Sequence, residues 1–360
     1  MKKICFVAQF PPPIHGLSKA IETLYDSDLN SYFALDKINI TNNKKFLVTM
    51  LKILTSTSDL YYLTISQSRG GNLRDLVILK LIKIKHKKCI IHLHGGHYRQ
   101  LVDNNMAGWQ KKANYKIVNK LTGAIVLSDS LKRNFQGMIA DEKIHVVMNC
   151  VDNEYLLSDA EVLKKLKSLQ TKKILHVMWL SNFIRSKGYL EVLEMAKLEK
   201  ERVIDGGKMR FHFDFAGKFF EDTEKQIFEN YVTKNKLEDF IKYHGIVDGQ
   251  EKKELLKLCD IFILPTHYPN EGQPISILEA MGNAMFIVTT NHAGIPDIVK
   301  DGVNGIIIDK DSSINKTYEK LASIDNNTFN IICSRNRDYC KQQFSQQKYI
   351  DRMKEIFSNE

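Results

Sequence analysis

Cysteine is sparse and scattered: six residues, at positions 5, 89, 150, 259, 333 and 340, with no Cys-x-x-Cys pair among them. This spacing excludes knuckle-type zinc motifs and argues against a disulfide framework. The apolar, strand-like context of most of these residues fits reduced thiols in a cytosolic protein. No apolar run approaches the roughly 18 residues that a membrane-spanning helix needs. Met1-Lys2-Lys3 leads into only about seven apolar residues and then Pro11-Pro12-Pro13, with no small-residue cleavage site, so this stretch reads as a first strand and not as a secretory leader. No Asp-x-Asp pair is well placed for a divalent ion, and there is neither an internal repeat nor a low-complexity segment.

What is present is ordinary for a soluble α/β protein. The 360 residues are 43% hydrophobic and 26% charged, which suits two domains with well-built cores. The net charge of +10 is uneven: residues 1–170 carry 25 Lys+Arg against 14 Asp+Glu, and the remainder is nearly neutral. Lys80, Lys83 and Lys87 recur at helical spacing beside Leu76, Leu79 and Ile82. They form either a basic amphipathic face for anionic lipid headgroups or a solvated lysine-rich helix. Lys111, Lys112, Lys116 and Lys120 add to the excess. Aromatics are not interleaved with these residues, which disfavours nucleic acid.

Hydrophobic patterning alternates strands and helices from end to end. Strands are expected at 4–8, 60–64, 89–93, 124–127 and 144–148, with helices at 16–24, 74–85 and 109–120 and from 129. Residues 154–172 are lysine-rich and strandless, a linker or an edge helix. The alternation restarts with strands at 174–180, 211–217, 241–244, 261–265, 286–289 and 306–308, and the tail from 315 to 357 looks helical. The expected fold class is therefore α/β: two doubly wound, Rossmann-like domains at 1–168 and 169–340, with 341–360 a helix packing back on the first. A ligand would lie in the cleft between them, beyond the C-terminal ends of the strands.

The most informative stretch is Pro265-Thr-His-Tyr-Pro-Asn-Glu-Gly-Gln-Pro-Ile-Ser-Ile-Leu-Glu-Ala-Met-Gly282. A strand runs into a loop carrying Glu271, Gly272 and Gln273, and the loop into a helix. Pro274 suits the first helical position, and Ile275, Ile277, Leu278 and Met281 form an apolar face. Glu279 lies roughly 7 Å along the helix axis. The N–H groups around Ile275 and Ser276 offer a seat for phosphate. A nucleotide sugar with its diphosphate there could give sugar hydroxyls to one carboxylate and ribose hydroxyls to the other. The alternative is a solvated loop glutamate and an unconstrained helix glutamate.

The second half resembles the donor domain of the retaining glycosyltransferases of family four, which have the GT-B fold. The resemblance rests on Glu271-Gly272 and Glu279-Ala280-Met281 with seven residues between the glutamates. It continues through Ala293-Gly294-Ile295-Pro296-Asp297-Ile298-Val299 and Asp301-Gly302-Val303-Asn304-Gly305. Looser similarity takes in the Pro12 to Gly16 loop, His94-Gly95, Asn149-Cys150-Val151-Asp152 and the stretch from Leu180 to Gly188. Three departures stand out. Asn182 occupies the place of the family's arginine, His15 that of the first glycine of a pair, and Cys150 that of another glycine.

The resemblance implies that Glu271 contacts the donor sugar, Glu279 the ribose, and His94 the sugar near the reacting centre. Gly16 would let backbone approach the diphosphate. Lys187, with Arg185 as a candidate substitute for the cation missing at Asn182, would neutralise it, and backbone near Ile246 would meet the base. His267 and Asn270 flank this loop. For His94 the alternatives are a metal cluster with His92 and His97, or a plain hydrogen-bonded histidine. The expected activity is retaining, metal-independent transfer of a hexose or N-acetylhexosamine from a nucleotide sugar, UDP favoured, with no cofactor. The acceptor would be a lipid-linked oligosaccharide in bacterial surface polysaccharide synthesis (capsule, O-antigen, lipopolysaccharide), at the inner face of the plasma membrane. An epimerase or hydrolase of the same fold, or a non-catalytic partner subunit, are the alternatives.

Overall fold

A computed structural model describes residues 1–12, 16–309 and 312–360. The expectation at His15 therefore lies outside the described residues. The chain forms two compact units, each built on a six-stranded, wholly parallel sheet.

The first unit comprises Met1–Cys150, Asn270–Gln273 and Gln346–Glu360. Its strands are β1 (Lys3–Ala8), β2 (Ala34–Asn39), β3 (Leu60–Thr64), β4 (Lys88–His92), β5 (Gly123–Val126) and β6 (Ile144–Val146), in the order β2-β1-β3-β4-β5-β6. β1, β3 and β5 are almost wholly buried, as parallel strands covered on both faces by helices should be. β2 was not expected. It is an edge strand with polar Asp36 and Lys37 in the middle, and its burial is incomplete. No continuous apolar run marks such a strand.

Helices α1 (Gly16–Tyr25), α2 (Phe46–Thr55), α3 (Arg69–Ile84), α4 (Tyr98–Asn104) and α5 (Gly108–Val118) connect these strands. The helix expected from Asp129 is a 3-10 turn ending at Asn134. In α3, Leu76, Leu79 and Ile82 are buried in the core, leaving the lysines outside. α2 went unrecognised, and it has the unusual surface. Only Thr49 and Ile53 are buried, whereas Leu47, Val48, Leu51 and Leu54 are 71%, 49%, 61% and 47% exposed. Its last carbonyls, Ile53 O and Leu54 O, each accept from Lys85 Nζ at 2.7 Å, a cationic cap at the negative end of the helix.

The second unit comprises Val151–Pro269 and Pro274–Ser345. Its strands are β7 (Leu175–Leu180), β8 (Phe211–Ala216), β9 (Ile241–Tyr243), β10 (Ile261–Leu264), β11 (Phe286–Thr290) and β12 (Gly305–Ile308), in the order β12-β11-β10-β7-β8-β9. The strand order reverses between β7 and β10, the topological switch point at which doubly wound sheets take ligands. Its helices are α6 (Asp159–Leu169), α7 (Tyr189–Ile204), α8 (Asp222–Asn235), α9 (Gly249–Leu258), α10 (Ile275–Gly282), α11 (Ile314–Ser323) and α12 (Asn326–Gln343).

The first segment of the first unit ends at Cys150, and residues 151–168 group with the second unit. α6 begins with a capping box between Ser158 and Glu161. Its Lys165 reaches the buried carbonyls of Leu256 and Asn283 at 2.8 and 2.9 Å. The final helix, α13 (Gln346–Asn359), belongs to the first unit. Its Phe357 ring packs 5.9 Å from Phe6 and 5.6 Å from Tyr62, between ring centres.

Candidate functional site

The switch point of the second sheet gathers two stretches that stand far apart in sequence. β7 leads into Ser181, Asn182 and a 3-10 turn, Arg185–Lys187, which ends at Gly188. β10 leads into Pro265, Thr266, His267 and Tyr268. The two loops are tied: His267 N donates to Ser186 O at 2.7 Å. Gly188 has φ +81°, and a Cβ there would lie 2.4 Å from Pro265 O, so only glycine allows this approach. Gly188→Ala is expected to destabilise the second unit by about 1–3 kcal/mol, read as a lower melting temperature. An unchanged melt would contradict the tight approach.

Lys187 Nζ stands over the Tyr268 ring, 4.6 Å from its centre. Arg185, the other candidate cation, pairs with Glu224 at 3.2 Å and is 61% exposed at its side chain. Glu224 also accepts from the Tyr189 hydroxyl. The Arg185 charge is thus met by a carboxylate within the chain. Asn182 is exposed, and its carbonyl accepts from Ile184 N.

α10 begins at Ile275, one residue later than the pattern suggests. Pro274 has ψ 117° and is the cap residue, its carbonyl accepting from Ile277 N at 3.2 Å. Ile275 and Ser276 are partly exposed at the helix start, where N–H groups have no partner within the helix. Glu279 is buried, and its Oε1 accepts from Lys252 Nζ of α9 at 2.7 Å. Burial raises the Glu279 pKa and the Lys252 charge opposes that rise. Lys252 also stands over Tyr155, 3.9 Å from the ring centre. No motif flagged Lys252; a lysine on the preceding helix is too common a signal to single out. Ile246, next to Gly245 with its φ of +73°, is 67% exposed.

Asn270–Gln273 group with the first unit, although the residues on either side group with the second. Gln67 Nε2 donates to Asn270 O at 3.3 Å, and Gln67 Oε1 accepts from His97 N at 2.8 Å. Gln273 Oε1 accepts from Asn149 N at 2.7 Å, Gln273 O accepts from Asn149 Nδ2 at 2.9 Å, and Gln273 Nε2 donates to Leu127 O at 3.3 Å. A Cβ on Gly272 would lie 2.9 Å from both His94 O and Gly95 Cα. Glu271, 8% exposed, is thus held on a pinned loop against the segment that follows β4. Gln67 was missed in the sequence. It follows β3, the neighbour of β4, and strand adjacency is the only signal that could have found it.

His94 lies two residues past β4, its ring centre 3.9 Å from that of His92. The residue is partly exposed, but its Nε2 is shut off from solvent and has no hydrogen-bond partner among the described residues. Burial lowers its pKa to about 3, so the ring is neutral. His92 Nδ1 meets the Tyr62 hydroxyl at 2.6 Å. Among the described residues the donors of His92, His94 and His97 do not form a metal-holding group. Gly16 is exposed at the start of α1.

The family profile for glycosyl transferases group 1 matches residues 160–346. WcaL of Salmonella typhimurium, a candidate colanic acid biosynthesis glycosyltransferase, is 30% identical over 122 residues, 32% of this chain and 30% of that protein. The UDP-Gal:alpha-D-GlcNAc-diphosphoundecaprenol alpha-1,3-galactosyltransferase of Escherichia coli is 26% identical over 190 residues, 44% of this chain and 48% of that one. The chain thus spans less than half the length of each of these two relatives. Among solved structures, Anabaena HepE in complex with UDP superposes with a TM-score of 0.75 at 16% identity, over 100% of both chains. The same protein has been solved with UDP-glucose. The chain belongs to the group 1 glycosyl transferases, and its two parallel six-stranded sheets form the GT-B fold.

Proposed function

We propose that the protein is a retaining family-four enzyme that moves a hexose or N-acetylhexosamine from a UDP-sugar to a lipid-linked oligosaccharide in bacterial surface polysaccharide synthesis. The observation that carries this reading is the convergence of Lys187-Gly188 and the loop before α10 at one sheet's switch point. A cation and a helix N-terminus there meet the need of a departing diphosphate for preorganised positive potential. UDP is favoured by the HepE complexes, and a lipid-linked acceptor by the substrate named for the E. coli relative.

The bond from the anomeric carbon to the diphosphate oxygen breaks as the acceptor oxygen bonds to the same face. The acceptor proton passes to a donor phosphate oxygen. Glu271 and neutral His94 would hold the sugar, Glu279 the ribose, and Ile246 the base. Lys187, the α10 N–H groups and the uncharged His94 need no divalent ion, so turnover should be the same with or without added Mg2+ or Mn2+. Thermal-shift screening of nucleotide sugars tests the donor: the true one raises the melting temperature, and no shift with any of them would overturn the reading.

The membrane part of the proposal rests on α2 more than on the lysine face of α3, whose apolar side is committed to the core. No helix among the described residues is long and apolar enough to cross a membrane. The four exposed apolar side chains of α2 are flanked by Lys44, Lys45 and Lys52. Burying each would contribute about 1.5–3 kcal/mol at full depth, and the lysines match anionic headgroups. Flotation with anionic vesicles at low salt should recover the wild type with the lipid. Leu47→Glu/Leu51→Glu should reduce the bound fraction about tenfold without altering donor-induced melting shifts. Equal flotation of the two proteins would remove α2 from the interface.

A further inference from the structure

Away from the loops that follow β7 and β10, the second unit carries a cluster that the transfer reaction does not use. His176 on β7 pairs in register with His212 on β8, so their side chains share one face of the sheet. Asp214, two residues further along β8, lies on that same face and is 1% exposed at its side chain. Its Oδ2 faces His176 Nδ1 at 2.7 Å and His212 Nδ1 at 3.2 Å. Its Oδ1 faces His244 Nε2 at 2.7 Å, from just beyond β9. Among the described residues this is the one group of three whose donor atoms converge, all within 4.8 Å of one another.

We propose that His176, His212 and Asp214 form a structural Zn2+ site. A tetrahedral zinc with bonds of about 2.0–2.1 Å needs ligand atoms about 3.3 Å apart. The two measured edges to Asp214 Oδ2, 2.7 and 3.2 Å, both fall short of that length, so side-chain rotations that open them by about 0.1–0.6 Å would seat the ion. Two imidazoles and a carboxylate are the donors that zinc accepts. The carboxylate faces three imidazole nitrogens and is buried among them. His244 is the outer partner that fixes the carboxylate. The side chains of His176 and His212 are 24% and 21% exposed, which leaves a route for the ion and room for a water as fourth ligand.

The site's place defines its role. His176 and His212 lie at the N-terminal ends of their strands, opposite the ends that lead to Lys187 and the donor loop. An ion there would brace β7 to β8 and, through His244, the three-residue edge strand β9. It would take no part in sugar transfer.

The test is calorimetric titration of tag-free, chelator-stripped full-length protein with ZnCl2. One saturable site per chain is expected, with a melting temperature raised by several degrees and no response to MgCl2. His176→Gln/His212→Gln should weaken binding by about 100-fold or more, and His244→Gln by about tenfold, with the donor-induced melting shift unchanged. Absence of saturable zinc binding, or equal binding by the double variant, overturns the proposal. Should the double variant not fold, the visible spectrum of the Co2+-loaded wild type decides: intense four-coordinate bands support the site and six-coordinate ones overturn it.

Discussion

Glu271→Ala is expected to lower kcat/KM for sugar transfer by about 10²–10³-fold, the range seen when one preorganised polar contact to a transition state is removed. Neighbours on both sides of Glu271 fix the loop that carries it. Gln67 and Asn149 hold Asn270 and Gln273, and Gly272 lies against His94 and Gly95. With these contacts in place the variant should remain folded, as read by a cooperative melt. Glu271→Gln keeps the shape and one hydrogen-bonding oxygen, so its loss should be smaller, and the gap between the two variants reports the charge. Steady-state kinetics with the donor found by screening decide the matter. Undiminished transfer in both variants would remove Glu271 from the site.

His94→Asn should reduce kcat by about 10–100-fold and should change how stability responds to acid. Burial lowers the folded-state pKa of His94 to about 3, from an ordinary value of 6.5, and it lowers that of His92 as well. As pH falls through 6.5 the unfolded chain takes up these protons first, so the folded protein loses stability steadily from there down to about pH 3. Above pH 6.5 both states hold the rings neutral and this contribution is flat. His94→Asn should soften the fall in melting temperature between pH 6.5 and 4, with His92 keeping part of it. The pH–rate profile of the wild type should show no limb from His94 at neutral pH, because the imidazole stays uncharged there. A limb near pH 6.5 that disappears in His94→Asn would contradict the burial argument.

Most of the sheet architecture was legible in the sequence because buried parallel strands are continuous apolar runs. Runs such as Ile261 to Leu264 and Phe286 to Thr290 carry that signature. β2 escaped because an edge strand is less fully buried than a central one, and its Asp36 and Lys37 break the run. The boundary at Cys150 escaped because what assigns 151–168 to the second unit is α6 packing there, with Lys165 on distant carbonyls. Nothing local records such a contact.

The sequence by itself determined the alternation of strands and helices, the glutamate spacing around Pro274, and the Lys187-Gly188 pair. These follow from residue types at short separations, which fix periodicity, turn geometry and local charge. Only the tertiary structure decided which charges are already met. Arg185 is paired with Glu224, Lys252 with Glu279, and three histidines, two on strands and one just past a third, with Asp214. It also decided which apolar face is spare, since Leu76 of α3 and Leu51 of α2 read alike in the sequence. Pairing and burial depend on residues tens of positions away, brought together by strand order.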